Sequence, residues 1–151
     1  MDLPITVDEL ATVNIDFVIS LFLLMVILTS VLSLAEGRLD AVKKAEEMLE
    51  ARSLSEKVAS AIEETYLGGE GHEVEIKMPL DIKGSYYQVN VNQSAVLLEV
   101  GGWNAYSYSF QKKITNYNSN QSKVTLFPNR TYIIRNVKEG YSNKVVIFLI
   151  G

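Results

Sequence analysis

Residues 17–35 read FVISLFLLMVILTSVLSLA, a run without a single charge. At ~1.5 Å rise per residue a helix of this length reaches ~28 Å, close to the ~30 Å hydrocarbon core of a bilayer. A buried helix of a water-soluble fold would need other apolar surfaces around its whole circumference, and the rest of the chain supplies no comparably apolar helix. A cleaved secretory signal would need a basic leading segment and a small-residue cleavage site after the apolar run. Residues 1–16 carry Asp2, Asp8, Glu9 and Asp16 but no Lys or Arg, and the run leads straight into helix-forming sequence. The stretch therefore predicts one membrane-spanning helix near the N-terminus, retained in the mature protein.

Outward from it, the pattern changes after Glu36. Leu39, Val42, Leu49, Val58, Ile62 and Tyr66 recur mainly at three- and four-residue steps, with Ala45 filling one gap. This is the period of an amphipathic helix. Arg38, Lys43, Lys44, Glu46, Glu47, Glu50 and Lys57 occupy the other side, and Gly68-Gly69 provides the stop. Read as one rod, residues 17–67 would span ~75 Å, with a bend expected at Gly37 because glycine costs ~1 kcal/mol in a helix interior. The apolar stripe outside the membrane must be covered by the chain's own second domain, by other copies of the rod, or by both.

From His72 onward the period falls to two. Val74, Ile76 and Met78 alternate with charged residues until Pro79, and a turn at Ile82-Lys83-Gly84 leads into Tyr87, Val89 and Val91. Further strands are expected at 95–100, 105–112, 123–127, 131–136 and 144–150, joined by turn-rich links such as Asn92-Gln93-Ser94, Gly101-Gly102 and residues 116–121. The last strand is nearly all apolar and is expected to be central. The fold class is thus α+β. A long N-terminal helix, with an apolar transmembrane half and an amphipathic outer half, precedes an antiparallel β-sandwich or partly open β-barrel.

Composition narrows the chemistry. The 151 residues include no cysteine and a single histidine, so thiolate chemistry and most histidine metal sites are excluded. A net charge of -4 gives no reason to expect nucleic acid. No catalytic constellation stands out, and neither an enzyme nor a bound cofactor or metal is expected. His72 reads as a solvated loop residue, and Gly68-Gly69-Glu70-Gly71 lacks the Gly-Lys-Ser/Thr of a phosphate loop. Glu73 and Glu75 read as a solvated strand face. Tyr106, Tyr108 and Phe110, at strand spacing, read as filling a sandwich core, with a ligand surface as the other possibility. Trp103 follows Gly101-Gly102 and suits an anchor or a partner contact.

Just before the apolar run stands Ala11-Thr12-Val13-Asn14-Ile15-Asp16-Phe17. It resembles the Gly-Gln-x-Ser-x-Glu-Tyr segment of archaeal class III signal peptide proteins, the archaeal type IV pilin-like family. The stretch GGEGHEVEIKMPLDIKGSYYQVNVNQSAVLLEV (68–100) looks like the start of the β domain in small pilin-like proteins of methanogens and relatives. The ending NRTYIIRN…VVIFLIG is similar to their closing strands. The resemblance implies a leader cut by a prepilin-type peptidase between Ala11 and Thr12, with the apolar helix kept. It places Asp16 at the family's acidic position, where it would pair with the new α-amino group of a neighbouring subunit and set axial register. The other reading of Asp16 is an ordinary acid favoured by the dipole at a helix N-terminus. This chain departs from the pattern in its acidic leader, in Ala11 for glycine, in Thr12 for glutamine and in Ser20 for leucine.

The resemblance divides the chain into a leader (1–11), a transmembrane or filament-core helix (12–35), an amphipathic helix with its glycine stop (36–70) and a β domain (71–151). It implies a pilin-like subunit of an archaeal cell-surface filament, with membrane lipid, copies of itself or other pilin-like subunits, and the peptidase as partners. Ser20, Thr29, Ser30 and Ser33 would let helices approach closely. A membrane-anchored β domain that does not polymerise, acting as adhesin, receptor or secretion accessory, is the second reading. Sidedness draws opposing signals. Arg38, Lys43 and Lys44 follow the span and no basic residue precedes it, which by charge counting puts the β domain in the cytoplasm. The resemblance puts it outside, as do three candidate N-glycosylation sites at Asn92, Asn120 and Asn129. The outside placement is the one expected here.

Overall fold

The structure, a computed structural model, describes residues 7–109, 112–116 and 122–150, with side chains from Ile15 onward except that of Asn116. The chain divides into two compact units, Met1–Lys43 and Lys44–Gly151. The one helix among the described residues, α1 (Val7–Leu67), contributes to both.

In the first unit, helical structure runs without interruption through Gly37. Every described side chain from Ile15 to Lys43 is exposed within the chain. Two hydroxyls inside the apolar run are satisfied by their own helix. Thr29 donates to the carbonyl of Met25 and Ser30 to that of Val26, at 2.9 and 2.8 Å. Such back-bonding lets Thr29 and Ser30 sit on an apolar surface without unmet hydrogen bonds.

Among the described residues the second unit holds eight strands. These are β1 (Glu73–Lys77), β2 (Tyr87–Val91), β3 (Ala95–Val100), β4 (Trp103–Tyr108), β5 (Lys113–Asn116), β6 (Val124–Leu126), β7 (Thr131–Glu139) and β8 (Ser142–Leu149). They form two four-stranded sheets in the orders β1-β7-β8-β5 and β4-β3-β2-β6, a sandwich-like arrangement. Alternation sets the inner faces. Tyr87, Val89 and Val91 of β2, with Val96, Leu98 and Val100 of β3, turn inward from one sheet. Ile76, Tyr132, Ile134, Val145 and Ile147 do so from the other.

The helix joins this core only from Ala51 onward. Ala51, Leu54, Val58, Ala59, Ala61 and Ile62 are buried in it, whereas Leu39, Val42 and Leu49 are exposed. The expected stripe is therefore half right: the sandwich buries a face centred on Val58 and Ile62, and Leu39, Val42 and Leu49 are left uncovered. β8 is central, as its apolar sequence requires, between β7 and β5. One pairing departs from the expected antiparallel pattern, because β5 lies parallel to β8. The segment expected as one strand over 105–112 instead ends at Tyr108, and β5 starts at Lys113.

Turns follow their sequence signals. Lys83 and Gly84 both adopt positive φ, 52° and 82°, between the paired backbone groups of Ile82 and Ser85. That is the geometry of a type I′ turn, and Gly84 additionally donates its N–H to the Asp81 carboxylate. The helix stops where the glycines predict, with Gly69 at φ 83°.

Candidate functional site

Function has to be sought on what the fold leaves outward. The most extensive such surface is the apolar run itself. Phe17, Phe22, Leu23, Leu24, Ile27 and Leu34 are all more than half exposed within the chain. A soluble monomer rarely leaves so large a continuous apolar surface in water. The run is long and apolar enough to cross a membrane. Asp16 lies at its edge, with an exposed carboxylate. α1 is helical from Val7, which places Asp16 about two and a half turns into it. Cutting between Ala11 and Thr12 would bring it into the new first turns. Ala11 and Thr12 lie on helical backbone, and their side chains fall outside the described residues.

Two of the candidate glycosylation sites sit in exposed turns. The Asn92 side-chain oxygen accepts from the N–H groups of Ser94 and Ala95, at 3.0 and 2.8 Å, closing the β2–β3 turn. Asn129 adopts φ 55° and donates its N–H to the Pro79 carbonyl. Asn120 lies outside the described residues.

The aromatic series overturns the core expectation. Tyr106 and Tyr108 are 54% and 82% exposed, because the β3–β4 register places them on the outer face opposite Leu97 and Ala95. Ala105 is the β4 residue that packs against the core. Phe110 lies outside the described residues. His72 is also not a solvated loop residue: its Nε2 is buried without a hydrogen-bond partner, and its ring lies so close to Gly68 that a Cβ there would come within 2.4 Å. Glu73 and Glu75 are exposed as expected, with Glu73 paired to Arg135 across the sheet.

Two functional-looking groups went unmarked in the sequence. Lys112 is 5% exposed, with its ammonium 5.4 Å from the centre of the Tyr66 ring. Burial lowers its pKa, partly opposed by the Glu63 carboxylate. Gln88, Asn90 and Glu99 form a hydrogen-bonded polar set on the outer face of β2 and β3. Strict alternation with Tyr87, Val89 and Val91 marks the first two as outward, but their joint action depends on the register with β3. Among the described residues no cluster of three or more His, Asp or Glu side chains could hold a metal ion.

Fold and surface together define a class: a β-sandwich continuous in sequence with an apolar helix compatible with membrane anchoring. In comparisons with protein-family models, curated proteins and solved structures, nothing matches the chain.

Proposed function

We propose that the protein is a pilin-like subunit of an archaeal cell-surface filament, assembled through its N-terminal apolar helix. The observation that carries this reading is the wholly uncovered stretch from Ile15 to Lys43, whose apolar part needs either lipid or neighbouring helices around it. Lipid holds the subunit before assembly, and a bundle of identical helices replaces lipid in the filament. Self-satisfied hydroxyls at Thr29 and Ser30 suit both surroundings. The leader would be removed between Ala11 and Thr12 by a prepilin-type peptidase, leaving Asp16 near a free α-amino group. The sandwich would face the outside, where Asn92 and Asn129, exposed in turns, are available for glycosylation.

The decisive experiment is intact-mass and N-terminal analysis of the protein from its native cells, together with imaging of surface filaments. A mature chain beginning at Thr12 and present in filaments is the expected result. A chain retaining residues 1–11, extracted by detergent as a monomer and absent from filaments, would instead establish the second reading, a non-polymerising membrane-anchored β domain. Protease added to intact cells should cut the sandwich; protection would place it in the cytoplasm, as the basic residues after the span suggest.

A further inference from the structure

At one corner of the β4-β3-β2-β6 sheet lies an open cup of about 410 Å³. Its floor is a single cross-strand row, Gln88, Glu99 and Asn104, fixed by the register of β2, β3 and β4. Tyr86 and Trp103 stand at its sides, 67% and 49% exposed. The Glu99 carboxylate is held in place from below. One oxygen accepts from the Gln88 amide at 2.8 Å, the other from Asn90 at 3.3 Å. Asn90 is itself buried and oriented by Thr125, whose hydroxyl donates to its side-chain oxygen at 2.8 Å. A carboxylate has about four lone-pair positions, so roughly two remain for a ligand.

The chemistry of the lining selects the ligand. Among the described residues no Lys or Arg lines the cup and its one charge is negative, so an anionic ligand is disfavoured. Fixed carboxylate and amide groups suit neutral hydroxyl donors. Aromatic faces suit the C–H face of a pyranose ring, which is apolar on that side. The stripe continues beyond the cup: Tyr106 and Tyr108 follow Asn104 on the same outward face of β4, at ~6.8 Å intervals. A linear chain of sugars can use such a row; a compact cation such as a quaternary ammonium cannot reach it, nor use the amide hydrogen bonds. We infer that the outer face of β2, β3 and β4 binds a neutral oligosaccharide, with Glu99 and Asn104 receiving its hydroxyls and Tyr86, Tyr106 and Tyr108 stacking on its rings, while Trp103, paired with inward Val100, borders the cup at the start of β4. This goes beyond the filament reading and stands apart from it, since it concerns only the sandwich and requires no polymerisation.

Trp103 is the only tryptophan and borders both this cup and a groove against Met48 and Leu49, so the substitutions below, rather than its fluorescence alone, locate the binding. The full chain, held in a sugar-free polyoxyethylene detergent, would be titrated with cellohexaose, mannohexaose and xylohexaose, with an oligogalacturonate and choline chloride as contrasting probes. A saturable change in Trp103 emission with at least one neutral oligosaccharide is expected, weakened about tenfold or more by Tyr106→Ala and by Glu99→Gln. Tyr141→Ala, fully exposed at the β7–β8 turn, should leave it unchanged. Should Glu99→Gln lower the unfolding midpoint, Tyr108→Ala at its highly exposed position takes its place. No saturable response to any neutral oligosaccharide, a response to choline alone, equal binding of the acidic chain, or indifference to Tyr106→Ala would each overturn the assignment.

Discussion

Asn136, on the inner face of β7, donates its side-chain amide to the backbone carbonyl of Tyr66 at 2.8 Å and to that of Thr65 at 3.2 Å. The last carbonyls of a helix have no partner within it, and here they end in a buried place where water cannot serve them. Asn136 also accepts from Gly71 and donates its own N–H to His72, so one residue ties the helix end to the link that follows. Asn136→Ala should cost about 2–3 kcal/mol, the penalty for leaving buried acceptors unmet. Asn136→Asp should cost more at neutral pH, since a carboxylate would face two carbonyl oxygens. Urea unfolding of each variant checks both, and the gap between the two should narrow in acid.

Tyr87 is fully buried and donates its hydroxyl to the Pro79 carbonyl at 2.7 Å. Burial first, then Tyr132 and Asp81, push its pKa far above the ordinary value for tyrosine. A group whose pKa is raised by folding stabilises fully below its unfolded value, and that contribution is lost as pH climbs toward the folded one. Tyr87→Phe is expected to lose about 1 kcal/mol at neutral pH. Above about pH 10 the wild type should lose stability faster than the variant, so that the difference shrinks. Unfolding midpoints measured against pH for the pair test this.

Lys112 has the opposite sign. Its folded pKa is lowered, so the unfolded chain holds the proton more tightly, and stability rises with pH up to the unfolded value near 10.5. The cation–π contact with Tyr66 offsets only part of the burial cost. Lys112→Met should therefore be neutral or stabilising at neutral pH. Its advantage should fade as the solution becomes alkaline, and a variant clearly less stable than wild type at neutral pH would refute this.

Gly68→Ala places a Cβ within 2.9 Å of three His72 side-chain atoms, including His72 Cβ, so the link between α1 and β1 must shift. A loss of about 1–3 kcal/mol is expected from this overpacking. Gly71→Ala meets open space but sits at φ 82°, and should cost about 1 kcal/mol through backbone strain alone. Thermal unfolding of the two variants should rank them in that order.

A fragment starting at Lys44 should fold and stay soluble without detergent, because every buried apolar side chain described lies at or beyond Ala51. Circular dichroism and a cooperative thermal transition would verify it. Aggregation despite the complete core would mean that residues before Lys44 contribute to stability.

Much of this architecture could be read from local pattern. The positions of β2 and β3 follow from alternation between clear turn residues, and α1 stops at the glycines that mark its end. What alternation could not give was which face is inner. Tyr106 and Tyr108 share a face with Leu97, whose partner Asn90 lies outside the core, so their large apolar rings point to solvent. The assignment turns on a register between strands, which no single strand encodes. β5 was missed for a similar reason: four residues with a partner some thirty positions later carry little local signal. His72 looked solvated because its glycine neighbours suggest a loose turn, yet one of those glycines is what admits the imidazole ring. The polar cup was legible only as scattered outward residues until the strands were aligned.

The position of β8 has a consequence for how the molecule is made. This strand joins β5 to β7, and β7 in turn seats β1, so three earlier segments wait on residues 142–149 before their sheet can close. Synthesis makes β8 after all three. The nascent second unit would thus keep one sheet open until β8 has been made. Its folding cannot finish strand by strand as the chain grows, because the sheet waits on a strand that follows all of its partners in the sequence.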